Sequence, residues 1–189
     1  MYRLLVLALA GLLAITVAAC GGKEVATTPE TSTPVQTTTS PQEPSPSDTP
    51  SVASVGDTIN LTGQEEGERA AVTVVKVVDP AQPENEFSSP DAGMRLVAVQ
   101  FRLTNIGTKV VDEAPDNGAR VRDTKGQQFD STITGTSAGP DFGGSVTLTP
   151  GDTALGFIVF EVPTDSKIDR IQFALASGFA SSIGQWRVA

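Results

Sequence analysis

Met94-Arg95-Leu96-Val97-Ala98-Val99-Gln100-Phe101-Arg102-Leu103-Thr104-Asn105 decides the fold. Val97, Val99, Phe101 and Leu103 fall on one side of an extended chain, and Gln100, Arg102 and Thr104 on the other. Successive side chains of a strand point to opposite faces, so this period of two predicts a strand packed on one face and wetted on the other. Asn105-Ile106-Gly107 then supplies a turn.

Working outward, the same texture recurs on both sides. Upstream, Asp57–Leu61 forms a short strand, and Ala71–Val78, rich in β-branched residues, is stopped by Asp79-Pro80. Downstream, strands are predicted over Ala119–Arg122, Gln127–Ile133, Ser145–Thr149, Ala154–Val162, Ile168–Ala176 and Ile183–Val188. Thr149-Pro150-Gly151-Asp152 is a turn with a mechanism, because proline presets one corner dihedral and glycine accepts a positive φ. No stretch from Gly56 onward carries a helical period. About eight or nine strands within roughly 130 residues imply an all-β, two-sheet antiparallel β-sandwich with a single core.

The first residues give an address. Arg3 precedes an apolar run from Leu4 to Leu13, and Val17-Ala18-Ala19-Cys20 closes it. Charge, apolar run and small residues are the three parts of a secretory signal. The last four residues resemble a bacterial lipobox, which implies cleavage between Ala19 and Cys20 and a diacylglycerol on the Cys20 thiol, with palmitate among its acyl chains. Residues 1–19 are therefore read as a lipoprotein signal peptide. Residues 20–55 are read as the lipidated cysteine followed by a Thr/Ser/Pro-rich linker. That linker is too poor in apolar residues to bury a core and is expected to be disordered. Fully extended at about 3.1 Å per residue, it would reach roughly 100 Å. Residues 56–189 are the sandwich.

Composition removes whole classes of chemistry. The chain of 189 residues has no histidine, which excludes Ser-His-Asp and Cys-His catalysis and any His-containing zinc site. With Cys20 its only cysteine, no disulfide can form within the chain. Thirteen Lys and Arg against 22 Asp and Glu give a formal net charge of −9, which argues against a nucleic-acid partner and against direct adsorption on anionic phospholipid.

The sandwich resembles a known family, the telokin-like, immunoglobulin-fold domain of uncharacterised bacterial lipoproteins. That domain is itself similar in fold to an immunoprotective extracellular protein of mycobacteria. The resemblance spans Val55 to Leu175. It rests on Val55-Gly56-Asp57-Thr58, on Arg95–Asn105, and on Leu148–Asp152 leading into Gly156–Pro163. Arg122–Gly126 ahead of Phe129 adds a polar hairpin. It implies an immunoglobulin-like sandwich outside the cytoplasm and supplies no catalytic residues to transfer. The tail from Ala176, with Trp186, lies beyond it.

Candidate binding residues sit in loops. Asp112, Glu113 and Asp116 form one acidic group, and Asp79, Glu84, Glu86 and Asp91 another. Calcium takes several hard oxygen ligands from a loop, so either group is a candidate metal site, although neither has EF-hand spacing. Phe87, Phe142 and Phe179 are candidate partner contacts, Phe142 on a glycine-rich segment from Gly135 to Gly144 read as a mobile hairpin tip. The expected function is a non-catalytic, lipid-anchored extracytoplasmic domain. It would hold the membrane through Cys20, bind an envelope protein or small ligand through its loops, and need no cofactor. The alternative is a calcium- or small-ligand-binding lipoprotein using the acidic loops.

Overall fold

The computed structural model describes residues 52–188. Cys20, the signal peptide and the linker up to residue 51 lie outside the described residues. The strands in chain order are β1 (Ala53–Ser54), β2 (Thr58–Thr62), β3 (Arg69–Ala81), β4 (Met94–Asn105), β5 (Val111–Glu113), β6 (Ala119–Asp123), β7 (Gln128–Thr132), β8 (Val146–Leu148), β9 (Thr153–Pro163), β10 (Ile168–Ala174) and β11 (Ile183–Arg187). A single-turn 3-10 helix (Glu86–Ser88) and a four-residue helix, α1 (Pro115–Gly118), interrupt the strands. Pro115 starts α1 where no helical period exists in the sequence.

The strands follow the order β1-β11-β10-β6-β7-β9-β4-β3-β2, with β5 and β8 paired separately. This ribbon folds into a sandwich because β7 serves both layers. Its first half pairs with β6 through Gln128–Asp130, and Ser131 and Thr132 pair with Phe160 and Val159 of β9. One layer, sheet I, is then β1-β11-β10-β6, and the other, sheet II, is β9-β4-β3-β2. All pairings between these strands are antiparallel except that of β1 with β11, where Ala53 lies beside Trp186 and Ser54 beside Arg187. Ordered pairing thus begins at Ala53, inside the stretch assigned to the linker.

The alternation read in β4 is the one observed. Val97, Val99, Phe101 and Leu103 are fully buried in the main core, and Arg102 is exposed. Phe101 of sheet II meets Phe173 and Trp186 of sheet I, at ring-centroid separations of 5.3 Å and 6.4 Å, the second pair edge-on. Such geometries suit the aromatic quadrupole and lock the layers together.

Three local expectations are corrected. Asp79-Pro80 does not stop β3, which runs on to Ala81. The register with β4 slips between Val78 and Ala81, so the two residues are taken up as a bulge where proline's missing amide costs the ladder nothing. Leu96 and Ala98 of β4 do not face water. With Ala81, Phe157 and Val159 they form a second buried cluster on the outer side of sheet II. The cover over that cluster is the Gly135–Gly144 segment itself, which is pinned rather than projecting. Thr136 Oγ1 donates to Gln82 O at 2.9 Å and the Phe157 amide donates to Pro140 O at 2.9 Å, so the segment caps the edge of β9 where β7 ends.

Phe142, at the end of this segment, turns inward and packs over Gly156. A Cβ built on Gly156 would lie 2.8 Å from two Phe142 ring carbons and 2.9 Å from the Phe142 amide nitrogen. Backbone cannot give way as a side-chain tip can. Gly156→Ala is therefore expected to cost about 1–3 kcal/mol, the range for overpacking a well-filled core. Urea denaturation of the variant would show it; an unchanged midpoint would mean that the Phe142 segment moves freely.

Candidate functional site

A pair of adjoining hollows lies where the Gly135–Gly144 segment crosses sheet II. A hollow of about 260 Å³ is lined by Glu84, Thr134, Thr136, Asp141 and Val159 among others. A second of about 170 Å³ adjoins it, sharing Thr134, Asp141 and Val159 and adding Asp116, Ile133 and Phe157. Val159 and Phe157 belong to the outer cluster of sheet II and make an apolar floor; carboxylates and threonine hydroxyls make the walls. Ile133 stands fully exposed at the rim. Each hollow is smaller than the roughly 300–1,000 Å³ of drug-sized ligand sites, so the pair fits a small polar group or one side chain of a partner.

The acid group that sequence places together is dispersed by the fold. Asp112 and Glu113 are neighbours on β5, and strand alternation sends them to opposite faces. Asp112 stays at the surface, accepting a hydrogen bond from Thr147 Oγ1 at 2.6 Å. Glu113 is buried, and its carboxylate accepts the amides of Ala176 at 2.7 Å and Ser177 at 2.8 Å. Asp116, on α1, faces the cleft, where desolvation first and Asp141 second raise its pKa. The three candidate ligands therefore do not converge. Among the described residues, no three or more His, Cys, Asp or Glu side chains gather as a metal site would require.

The second acidic group is also divided. Asp79 forms an ion pair with Arg95, at 2.7 Å from Nε and 2.9 Å from Nη2. The same guanidinium donates to Pro163 O at 2.6 Å and Ser166 O at 2.8 Å, tying β3, β4 and the β9–β10 turn together. The hydrogen bond to Asp79 is the main cause of the raised Arg95 pKa. Glu84 enters the cleft, and Glu161 takes the Asp91 amide at 2.7 Å.

Of the aromatic candidates, Phe87 is 92% exposed on the 3-10 helix, whose Asn85 cap accepts the Phe87 amide at 2.9 Å. Phe179 is likewise exposed. Phe142 is only 8% exposed and belongs to the main core, because Gly156 leaves room for its ring, so it is not a free anchor. Sequence reasoning missed Asp141 as a wall of the cleft; the carboxylates it meets there, Glu84 and Asp116, are far away in the chain, and no spacing signals the meeting.

A family model described as "Domain of unknown function (DUF4352)" matches residues 62–182. None of the curated proteins matches the chain. Among solved structures, the secreted protein MPT63 of Mycobacterium tuberculosis superposes with a TM-score of 0.53 at 16% identity, covering 75% of this chain and 100% of that one. A Bacillus subtilis protein described as a "putative lipoprotein (ycdA)" gives a TM-score of 0.50 at 11% identity, covering 68% of this chain and 38% of that one. At these identities the likeness is one of fold, and it agrees with the immunoglobulin-like sandwich.

Proposed function

We propose that this chain, which belongs to the family described as "Domain of unknown function (DUF4352)", is a lipid-anchored extracytoplasmic protein whose sandwich binds rather than catalyses. The observation that carries this reading is Val17-Ala18-Ala19-Cys20, placed directly after the apolar run of the leader. Cleavage between Ala19 and Cys20 frees the cysteine as the new N-terminus, and a diacylglycerol on its sulfur holds the chain to the bilayer. Two acyl chains give lasting attachment where a single chain binds reversibly. The Thr/Ser/Pro-rich residues up to 51 act as the tether. The description of one structural neighbour as secreted, and of another as a putative lipoprotein, supports the location.

Binding falls to the cleft over sheet II. It is built on a rigid sheet, so its walls are held in place before any partner arrives. The calcium reading loses its proposed ligands with the separation of Asp112, Glu113 and Asp116. The small-ligand reading passes to Glu84, Asp116 and Asp141 around the Val159 floor.

The anchor is tested directly. Wild type expressed in a bacterial host is expected to yield a mature N-terminal peptide beginning at acylated Cys20. Cys20→Ala is expected to leave the membrane fraction or to stay unprocessed. Mass spectrometry that finds a free Cys20 thiol on an uncut chain would overturn the reading.

A further inference from the structure

The outer face of sheet I carries an arrangement that a chain of net charge −9 has no general reason to keep. Arg122 of β6 pairs in register with Arg170 of β10, and Arg170 pairs with Arg187 of β11. Alternation sends Val121, Ile171 and Trp186 into the core, so all three arginines point outward. They form one row across three neighbouring strands. Like charges directly opposite one another destabilise a sheet, so the row weakens the fold that bears it. Two carboxylates share the face and leave it basic: Asp130 is taken up by Arg120 at 2.8 Å, and Asp169 reaches Arg170 only at 4.0 Å. The Nε atoms of Arg122 and Arg170 and Oδ1 of Asp169 lie buried without hydrogen-bond partners among the described residues.

We infer that this arginine row docks the domain on anionic phospholipid headgroups of the membrane that anchors it. The inference rests on the anchoring proposed above. Guanidinium is planar, always charged and weakly hydrated, and it meets phosphate oxygens in pairs. Arg187 is exposed and Arg122 half-buried, while Arg170 between them has a side chain only 17% exposed and donates through Nη1 to Gln185 Oε1 at 3.4 Å. The row is thus a shallow basic strip, which suits a flat bilayer better than a narrow ligand. The tether joins the domain at this same face's edge, since Ser54 of β1 lies beside Arg187. Ile183, exposed on the same face of β11, adds an apolar contact toward the headgroup layer. The net negative charge, which argues against adsorption of the whole molecule, here orients it: the other faces are repelled and the basic row is presented. Because the anchor already holds the domain at an effective millimolar concentration near the surface, modest affinity is enough to lay it down.

Trp186, the chain's one tryptophan, sits beneath the row and reports its distance from the bilayer without labelling. The full acylated protein would be reconstituted into vesicles of phosphatidylcholine alone, or with one third phosphatidylglycerol, each bearing a dansyl headgroup acceptor. Energy transfer is expected to be higher with phosphatidylglycerol and to fall to the phosphatidylcholine level in molar salt, where the Debye length is about 3 Å. Each arginine removed should lower docking about fivefold, so Arg122→Gln, Arg170→Gln and Arg187→Gln together should abolish the excess, while the corresponding lysine substitutions, which keep the charge and lose the paired contact, retain only part of it. Arg187→Gln alone, at the most exposed position of the row, gives a partial effect even if the triple variant folds poorly. Equal transfer on both lipids, insensitivity to the arginine substitutions, or binding of soluble polyglutamate in place of the anionic vesicles would overturn the inference. Retention on neutral vesicles reads the anchor alone, so a protein that leaves neutral vesicles yet binds anionic ones through its arginines refutes the anchor and upholds the face.

Discussion

Trp186→Ala is expected to destabilise the domain by about 3–5 kcal/mol, the cost of deleting a large buried aromatic, and to lower its melting temperature by roughly 10–20 °C. Trp186 is completely buried on β11 and meets Phe101 of the opposite sheet edge-on. Its indole N–H donates to Asp57 O at 2.9 Å, joining the last strand to the segment that opens the domain. The site is also shaped around it. A Cβ on Gly184 would approach the Trp186 ring to 2.6 Å, so a side chain two residues upstream on the same face is excluded. Trp186→Phe keeps an aromatic body and loses the hydrogen bond. Asp57 is exposed, so its carbonyl can turn to water, and the phenylalanine variant should lose only about 1–2 kcal/mol. Far-UV circular dichroism during thermal melting separates the two. An alanine variant melting within a few degrees of wild type would show that β11 contributes little to the core.

That prediction concerns a residue beyond the resemblance seen in the sequence and beyond the family match, which ends at residue 182. The strand around it was legible, because Trp186 and Val188 alternate with polar neighbours. Its central place was not, because alternation tells which side of a strand is apolar and not which strand it will face. The same limit explains the outer side of sheet II. Leu96-Val97-Ala98-Val99 is a continuous apolar run, which is how a strand buried on both faces reads. The cover for its second face comes from a glycine-rich loop held by hydrogen bonds to main-chain carbonyls, and such acceptors leave no trace in side-chain pattern. β1 was hidden for a related reason. Ala53-Ser54 pairs through its backbone with β11 while its composition matches the Ser/Pro-rich stretch before it.

The acidic candidates show what sequence proximity can conceal. Carboxylates close in sequence read as one site when their strand or loop is unknown. The three-residue ladder of β5 with β8 and the four-residue helix α1 turn Asp112, Glu113 and Asp116 in three directions. The cleft draws instead on Glu84, Asp116 and Asp141, brought together by a loop crossing the outside of the sheet. The arginine row was hidden in the same way. Arg122, Arg170 and Arg187 are scattered along the chain and meet only once register is known.

Glu113 shows what the buried member of that acidic group does. Its carboxylate receives two successive amides, from Ala176 and Ser177, whose φ values of 54° and 53° lie in the left-handed region. Holding non-glycine residues there costs roughly 1–2 kcal/mol each, so the turn after β10 needs a partner that rewards the conformation. Glu113→Ala should therefore lose about 2–4 kcal/mol, from two backbone amides left without their acceptor in a buried site and from the release of the strained turn. The loss should depend on pH with a definite sign. Desolvation is the largest influence and raises the Glu113 pKa above the usual carboxylate value; the Ser177, Ala176 and Ala114 amides oppose it, and Glu68 adds to the rise. Between the ordinary unfolded value and the higher folded one, the native state holds a proton that the unfolded chain has released. The stability contributed by Glu113 is then fully present below the unfolded pKa and declines as pH rises through the folded one. The gap between wild type and Glu113→Ala should accordingly be wider in mild acid than at neutral pH. Glu113→Gln, uncharged throughout, should approach wild type most closely on the alkaline side. Paired urea titrations at several pH values would measure both gaps. A gap that widens toward neutral pH would mean that the amides favour the charged carboxylate more strongly than burial penalises it.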